Sequence, residues 1–278
     1  MNYWDQQYNP RLAVQDSQQY FDHWRARARQ ARATLTGSID APYGEHERER
    51  LDVFRAAAPR GTLVFLHGGY WRAFGKEDFS WIATSFVQAG ITVVIPSYPL
   101  CPGAPLPAIC QSVAKAMSYI ASSALTAAER ERVVLAGHSA GAHLAAHYLS
   151  RFATEMDSTI NLAAVVCISG VFDLLPLLHA QFLDNMGWDA AGLHEVSPLY
   201  RPVPDRGKVI LAVGEAESRD FHRQSERLAD AWAERCTGVL SIPDQNHFSV
   251  LDTLSEPDSL LARLMLDLFE PASLGEVV

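Results

Sequence analysis

The stretch Arg132-Val133-Val134-Leu135-Ala136-Gly137-His138-Ser139-Ala140-Gly141-Ala142-His143-Leu144-Ala145-Ala146 decides the fold. Arg132–Ala136 reads as a short buried strand, and Ala140–Phe152 reads as a helix. Between them, Gly137-His138-Ser139-Ala140-Gly141 fits the pattern G-x-S-x-G. A serine at a sharp strand-to-helix turn has a strained backbone and a hydroxyl that projects above the sheet. Strand and helix approach closely there, so small residues are needed on both sides, and Gly137, Ala140, Gly141 and Ala142 supply them. The helix N-terminus favours negative charge beside Ser139. G-x-S-x-G alone occurs by chance in Gly- and Ser-rich chains. The strand before it and the helix after it carry the reading.

Further apolar runs alternate with helical stretches on either side. Thr62–Leu66, Ile91–Ile95, Ala163–Ile168, Lys208–Val213 and Val239–Ile242 read as short buried strands, and Leu51–Arg55 as an earlier, antiparallel one. Helices are expected at Phe79–Ala89, Ala108–Ser122, Phe221–Cys236 and Ser249–Phe269. The alternation implies an α/β protein with a mostly parallel central sheet and helices on both faces. Residues 1–37 are expected to form an extension with one helix at Gln15–Thr34, mainly scaffolding, with Tyr3, Trp4 or Tyr8 in reach of a pocket roof. Residues 38–278 are expected to form a single domain. Pro96–Pro107 carries five prolines and must be an extended loop. Phe172–Arg206 is a second long irregular segment, expected to be a small cap or lid.

Composition narrows the partners. The chain has 278 residues, 48% hydrophobic, which is enough for one sizeable core. Its formal charge of −9 repels phosphate backbones, so nucleic acid is excluded as an expected partner. No apolar stretch is long enough to span a bilayer, and Met1–Arg11 shows no signal-like apolar run. A cytoplasmic protein without a membrane partner is expected. Cys101, Cys110, Cys167 and Cys236 form no CxxC pair and are expected as reduced thiols.

The next motif is His67-Gly68-Gly69-Tyr70-Trp71, directly after the strand Thr62–Leu66. Acyl transfer builds a negative oxygen in the transition state, and fixed backbone N–H groups must already point at it. An HGGG-type loop provides such donors. The N–H groups of Gly69, Tyr70 and Ala140 are assigned to this oxyanion hole, with Gly68 shaping the turn. Gly68, Trp71 and His138 are expected next to the substrate, and Tyr70 and Trp71 could flank an aromatic leaving group.

The base should be a histidine after the last strand, and His247 in Asp244-Gln245-Asn246-His247-Phe248 fits. The acid should lie between Ser139 and His247, just after a strand. Glu217 is chosen, with Glu215 and Asp220 as runners-up. Asp173 is an outside candidate that reads better as a helix cap. His143 and His147 stand four apart on one helix, but no third ligand is evident, so no metal site is expected. No cofactor is needed.

These segments together resemble the arylformamidase (kynurenine formamidase) group of α/β-hydrolases. The resemblance rests on HGGYW at 67–71, GHSAGAHLAA at 137–146, SGVFDLLPL at 169–177, SPLY at 197–200, FHRQS at 221–225 and NHF at 246–248. It implies the α/β-hydrolase fold, hydrolysis of a small acyl (formyl) group from an aryl amide such as N-formylkynurenine, and a triad of Ser139, Glu217 and His247. The departure is Glu217, where the family typically has Asp. Two rivals stand beside this reading. One is a short-chain carboxylesterase using the same machinery. The other is a non-catalytic hydrolase fold serving as a binding module. The expected partner is a small aryl formamide or ester, and a homodimer is in keeping with the fold.

Overall fold

The computed structural model describes residues 2–153 and 160–270. Eight strands form one sheet: β1 (Gly37–Pro42), β2 (Arg50–Phe54), β3 (Thr62–Leu66), β4 (Thr92–Pro96), β5 (Val133–His138), β6 (Leu162–Ile168), β7 (Lys208–Gly214) and β8 (Cys236–Ile242). Their spatial order is β1-β2-β4-β3-β5-β6-β7-β8. β1 pairs antiparallel with β2, and β2 with β4; the other pairings are parallel. The α/β class and the mostly parallel sheet agree with the sequence reading.

The central strands β3, β4 and β5 are buried along their whole length. Alternate side chains therefore feed two apolar layers. Val64, Leu66, Val133 and Leu135 join one layer, while Leu63, Phe65, Val134 and Ala136 join the other. The helix Ser17–Thr34 closes the second layer. Its Trp24 stacks on Trp81 at 6.2 Å and donates its indole N–H to Asp252 Oδ1 at 2.9 Å.

Some expected boundaries shift for local reasons. β1 has no counterpart in the sequence reading: it is an exposed, polar edge strand that carries no apolar alternation. The expected helix Ser249–Phe269 is two pieces, Ser249–Asp252 and Leu260–Asp267. Pro257 falls in the break, and the Ser259 side chain caps the second piece by accepting from Ala262 N at 3.1 Å. Phe79–Ala89 is likewise divided into Lys76–Phe79, a tight turn at Ser80–Ile82, and Ala83–Gln88. The helix Leu106–Tyr119 starts inside the proline-rich stretch, with Pro107 in its first turn, where a missing N–H costs nothing. Residues 172–206 fold as short helical turns plus the helix Ala190–Val196. All four cysteines are buried free thiols. Among the described residues no helix is long and apolar enough to cross a membrane.

Candidate active site

The site lies at the C-terminal ends of β3, β5, β6 and β7. Ser139 follows β5 with φ 55° and ψ −118°, a conformation rarely adopted by a non-glycine residue. Two hydrogen bonds hold it there: its N–H donates to Ile168 O at 2.8 Å, and its carbonyl accepts from His143 N at 3.1 Å. The turn is tight enough to require Gly141, because a Cβ on that residue would lie 2.0 Å from the Leu66 carbonyl oxygen. Ala140 opens the helix Ala140–Arg151, so its N–H belongs to the first turn, where no intrahelical acceptor exists.

The loop after β3 wraps over the serine. A Cβ on Gly68 would sit 3.0 Å from the His138 carbonyl oxygen and 3.2 Å from Ser139 Cβ. Gly69, Tyr70 and Trp71 all have positive φ, at 107°, 50° and 54°. The Gly69 carbonyl closes this turn by accepting from Arg72 N and Ala73 N, both at 3.1 Å. His67 supports the loop from below. Its Nδ1 lies 2.8 Å from Gly68 O, its carbonyl accepts from the Tyr98 hydroxyl at 2.6 Å, and its ring stacks on Tyr98 at 4.2 Å. Burial pushes its pKa down to about 3, so the ring is neutral.

His247 Nδ1 and Glu217 Oε2 are 2.6 Å apart, and both side chains are buried. The other carboxylate oxygen of Glu217 accepts from Gly214 N at 2.8 Å and from Ser169 Oγ at 2.5 Å. Glu217 lies in the turn just after β7, with its N–H donating to Gly214 O at 3.1 Å. Among the described residues, neither runner-up hydrogen-bonds to His247, whose Nδ1 partner is Glu217. Glu215 accepts from Asp244 N at 3.1 Å and is exposed. Asp220 is buried at the start of the helix Arg219–Ala231. Asp173 accepts from Leu175 N at 3.1 Å and pairs with Arg227 at 2.5 Å. The His247 ring is wedged between His138 at 4.7 Å and Phe221 at 4.5 Å. His138 Nε2 lies 2.9 Å from the His247 carbonyl oxygen, and burial, then the neighbouring His247 charge, drives the His138 pKa well below its ordinary value. The neutral His138 ring therefore donates to that carbonyl and fixes the loop bearing His247.

Ser139, His138, His247, Gly68, Gly69 and Tyr70 all line one cavity of about 450 Å³. Trp71, expected beside the substrate, does not. It is fully buried and packs edge-on against His143 at 5.0 Å and Trp188 at 5.7 Å. Its place in the core is a tertiary contact that the motif alone does not reveal. The N-terminal extension does more than scaffold. Tyr3, Trp4 and Tyr8 do not line the cavity, but Asn9, Pro10, Arg11, Phe21 and Trp24 do. Phe74, Phe182 and Phe248 complete an aromatic wall. Sequence reasoning also missed Ser169; its only signal is a polar residue directly after β6, within the sequence neighbourhood of candidate acids.

Among the described residues, one cluster elsewhere brings three metal-ligating side chains together. The third donor that the sequence did not disclose is Cys110, which meets His143 and His147 with one donor atom each, all within 4.8 Å. Both imidazoles also share the Val196 carbonyl oxygen, at 2.9 and 3.1 Å.

Comparison with known proteins bears on the fold that carries this site. Residues 63–232 match the family model described as the alpha/beta hydrolase fold. The chain is similar to kynurenine formamidase of Danio rerio, 27% identical over 96% of this chain and 94% of the relative. It is also similar to that of Salmo salar, 29% identical over 85% and 83%. A solved structure from a Silicibacter species with a provisional thioesterase name is 31% identical, covers 95% of this chain and 98% of its own, and superposes with a TM-score of 0.85. Esterase B of Lactobacillus rhamnosis, 18% identical over 91% and 94% with a TM-score of 0.69, shares the fold. The chain therefore belongs to the alpha/beta-hydrolase fold family.

Proposed function

We propose that the protein is a serine hydrolase that cleaves esters of small acyl groups through a covalent acyl-enzyme, with Ser139 as nucleophile, His247 as base and Glu217 as its orienting acid. The observation that carries this is the 2.6 Å contact between His247 and Glu217, beside a strained serine lining the same cavity. With Nδ1–H donated to Glu217, His247 keeps a lone pair on Nε2. Nε2 takes the Ser139 proton as Oγ attacks the acyl carbonyl, and Glu217 stabilises the imidazolium. The oxyanion is held by the N–H groups of Gly69, Tyr70 and Ala140. The C–O bond to the leaving group breaks as Nε2 returns the proton to it. Water then repeats the sequence on the acyl-enzyme and frees the acid and Ser139. The segment 172–206 acts as a cap, with Phe182 reaching the cavity. The extension 1–37 completes the cavity wall, and the rest of the chain acts as one catalytic domain, of which 154–159 and 271–278 lie outside the described residues.

A second reading is favoured by one specific observation, the near full-length similarity to kynurenine formamidases. In it the leaving group is an aryl amine and the acyl group is formyl. The aromatic wall suits either leaving group. Measuring kcat/KM for p-nitrophenyl acetate and N-formylkynurenine decides between them. The ester reading predicts efficient ester turnover with negligible formamide cleavage. A kcat/KM for the formamide well above that for the ester replaces it with the formamidase reading.

A further inference from the structure

The cavity beside Ser139 has an unusual charge for this chain. The protein carries 32 acidic against 23 basic residues, yet no aspartate or glutamate lines the cavity, while two arginines do. Arg11 comes from the N-terminal extension and Arg72 from the loop that bears Gly69 and Tyr70. Among the described residues, neither pairs with a carboxylate, and both are exposed to solvent. Arg11 is held by an aromatic ring, and Arg72 by an aromatic ring, a carbonyl and the Asn185 side chain. The Arg11 guanidinium lies 4.8 Å from the Phe21 ring centroid. Arg72 lies 5.7 Å from the Phe182 ring and donates to Phe182 O at 2.8 Å. A guanidinium has five N–H donors, so both keep donors for a ligand. Partial burial, then the nearby Arg11 charge, holds the Arg72 pKa below its ordinary value. Two cations on the wall of one cavity repel each other, and an anion bound beside both relieves that repulsion.

We propose that Arg11 and Arg72 form a subsite for a carboxylate on the substrate, so the enzyme selects anionic esters or amides with an aromatic body; this rests on the serine-hydrolase reading above. The extension is then a specificity element. Its loss removes one of the two cations as well as part of the wall. Arginine suits the role because its planar fork matches a carboxylate.

The test compares two chromogenic esters, 4-acetoxy-3-nitrobenzoate and 2-nitrophenyl acetate. They share the acetyl group and a nitrophenol leaving group but differ in the carboxylate. The readout is the ratio of their kcat/KM values, which cancels any general loss of folding or catalysis. The wild type favours the anionic ester, and Arg11→Gln and Arg72→Gln each lower the ratio about tenfold, mainly through KM for the anionic ester. Arg72→Lys keeps more of the preference than Arg72→Gln, and added salt weakens it in the wild type. A ratio unchanged by both Gln variants overturns the subsite. Failure of the wild type to turn over either ester overturns the hydrolase reading and the subsite with it, whereas turnover of both with no preference overturns the subsite alone.

Discussion

His247 on one side, and His143 and His147 on the other, are all buried histidines with opposite surroundings. His247 faces a buried carboxylate and a cavity, with its carbonyl held by His138. His143 and His147, one and two turns into the helix after Ser139, face a backbone carbonyl and a thiol. Burial, then the charge of its neighbour His147, pushes the His143 pKa down to about 3. Burial, then Arg201, pushes His147 down to about 4. Both are neutral rings tying the helix to the segment at Val196. A buried imidazole beside a carboxylate can accept a proton during turnover, whereas one whose only strong partner is a carbonyl cannot do so without destabilising the fold. The partner, more than burial, separates a working histidine from a structural one.

The largest effect expected from this comparison is on the working side. Ser139→Ala should lower kcat for p-nitrophenyl acetate by about a thousandfold or more, measured on protein whose circular dichroism matches the wild type. Glu217→Gln keeps the shape but removes the charge that holds the His247 tautomer, and kcat should fall by about 10³ to 10⁴. Ser169→Ala removes one of the donors that fix Glu217, so a smaller loss, about tenfold in kcat, is expected in the same assay. A Ser169→Ala loss as large as that of Glu217→Gln would mean that the carboxylate has no other anchor.

The structural side is tested by stability. His143 and His147 have folded-state pKa values of about 3 and 4, below the ordinary 6.5. Between those values the unfolded chain binds more protons, so stability rises with pH across this window. Their contribution is fully present above about pH 6.5 and is lost as pH falls toward 4. Thermal unfolding should show Tm dropping over that range, and His143→Gln with His147→Gln should flatten the slope while lowering Tm at neutral pH. Their effect on kcat should stay within about threefold.

Much of this was legible in the sequence because a parallel sheet demands continuous apolar runs. Thr62–Leu66 and Val133–Ala136 could hardly be anything else, and their loops then had to carry the polar chemistry. His247 was legible as a histidine after the last strand. The edge strand β1 was not, since its exposed face has no apolar period. Nor was the direction of Trp71, which packs on His143 and Trp188 from distant segments. Long-range placements were equally hidden. Cys110 meets His143 only through the packing of two helices, and Arg11 meets the cavity only because the extension folds back across it.

The most direct test is labelling with a fluorophosphonate, which bonds only to a serine oxygen already activated by its neighbours. The account predicts one stoichiometric adduct on the peptide containing Ser139, abolished by Ser139→Ala and strongly slowed by Glu217→Gln. Folded protein that stays unlabelled, or that is labelled at another serine, would contradict it.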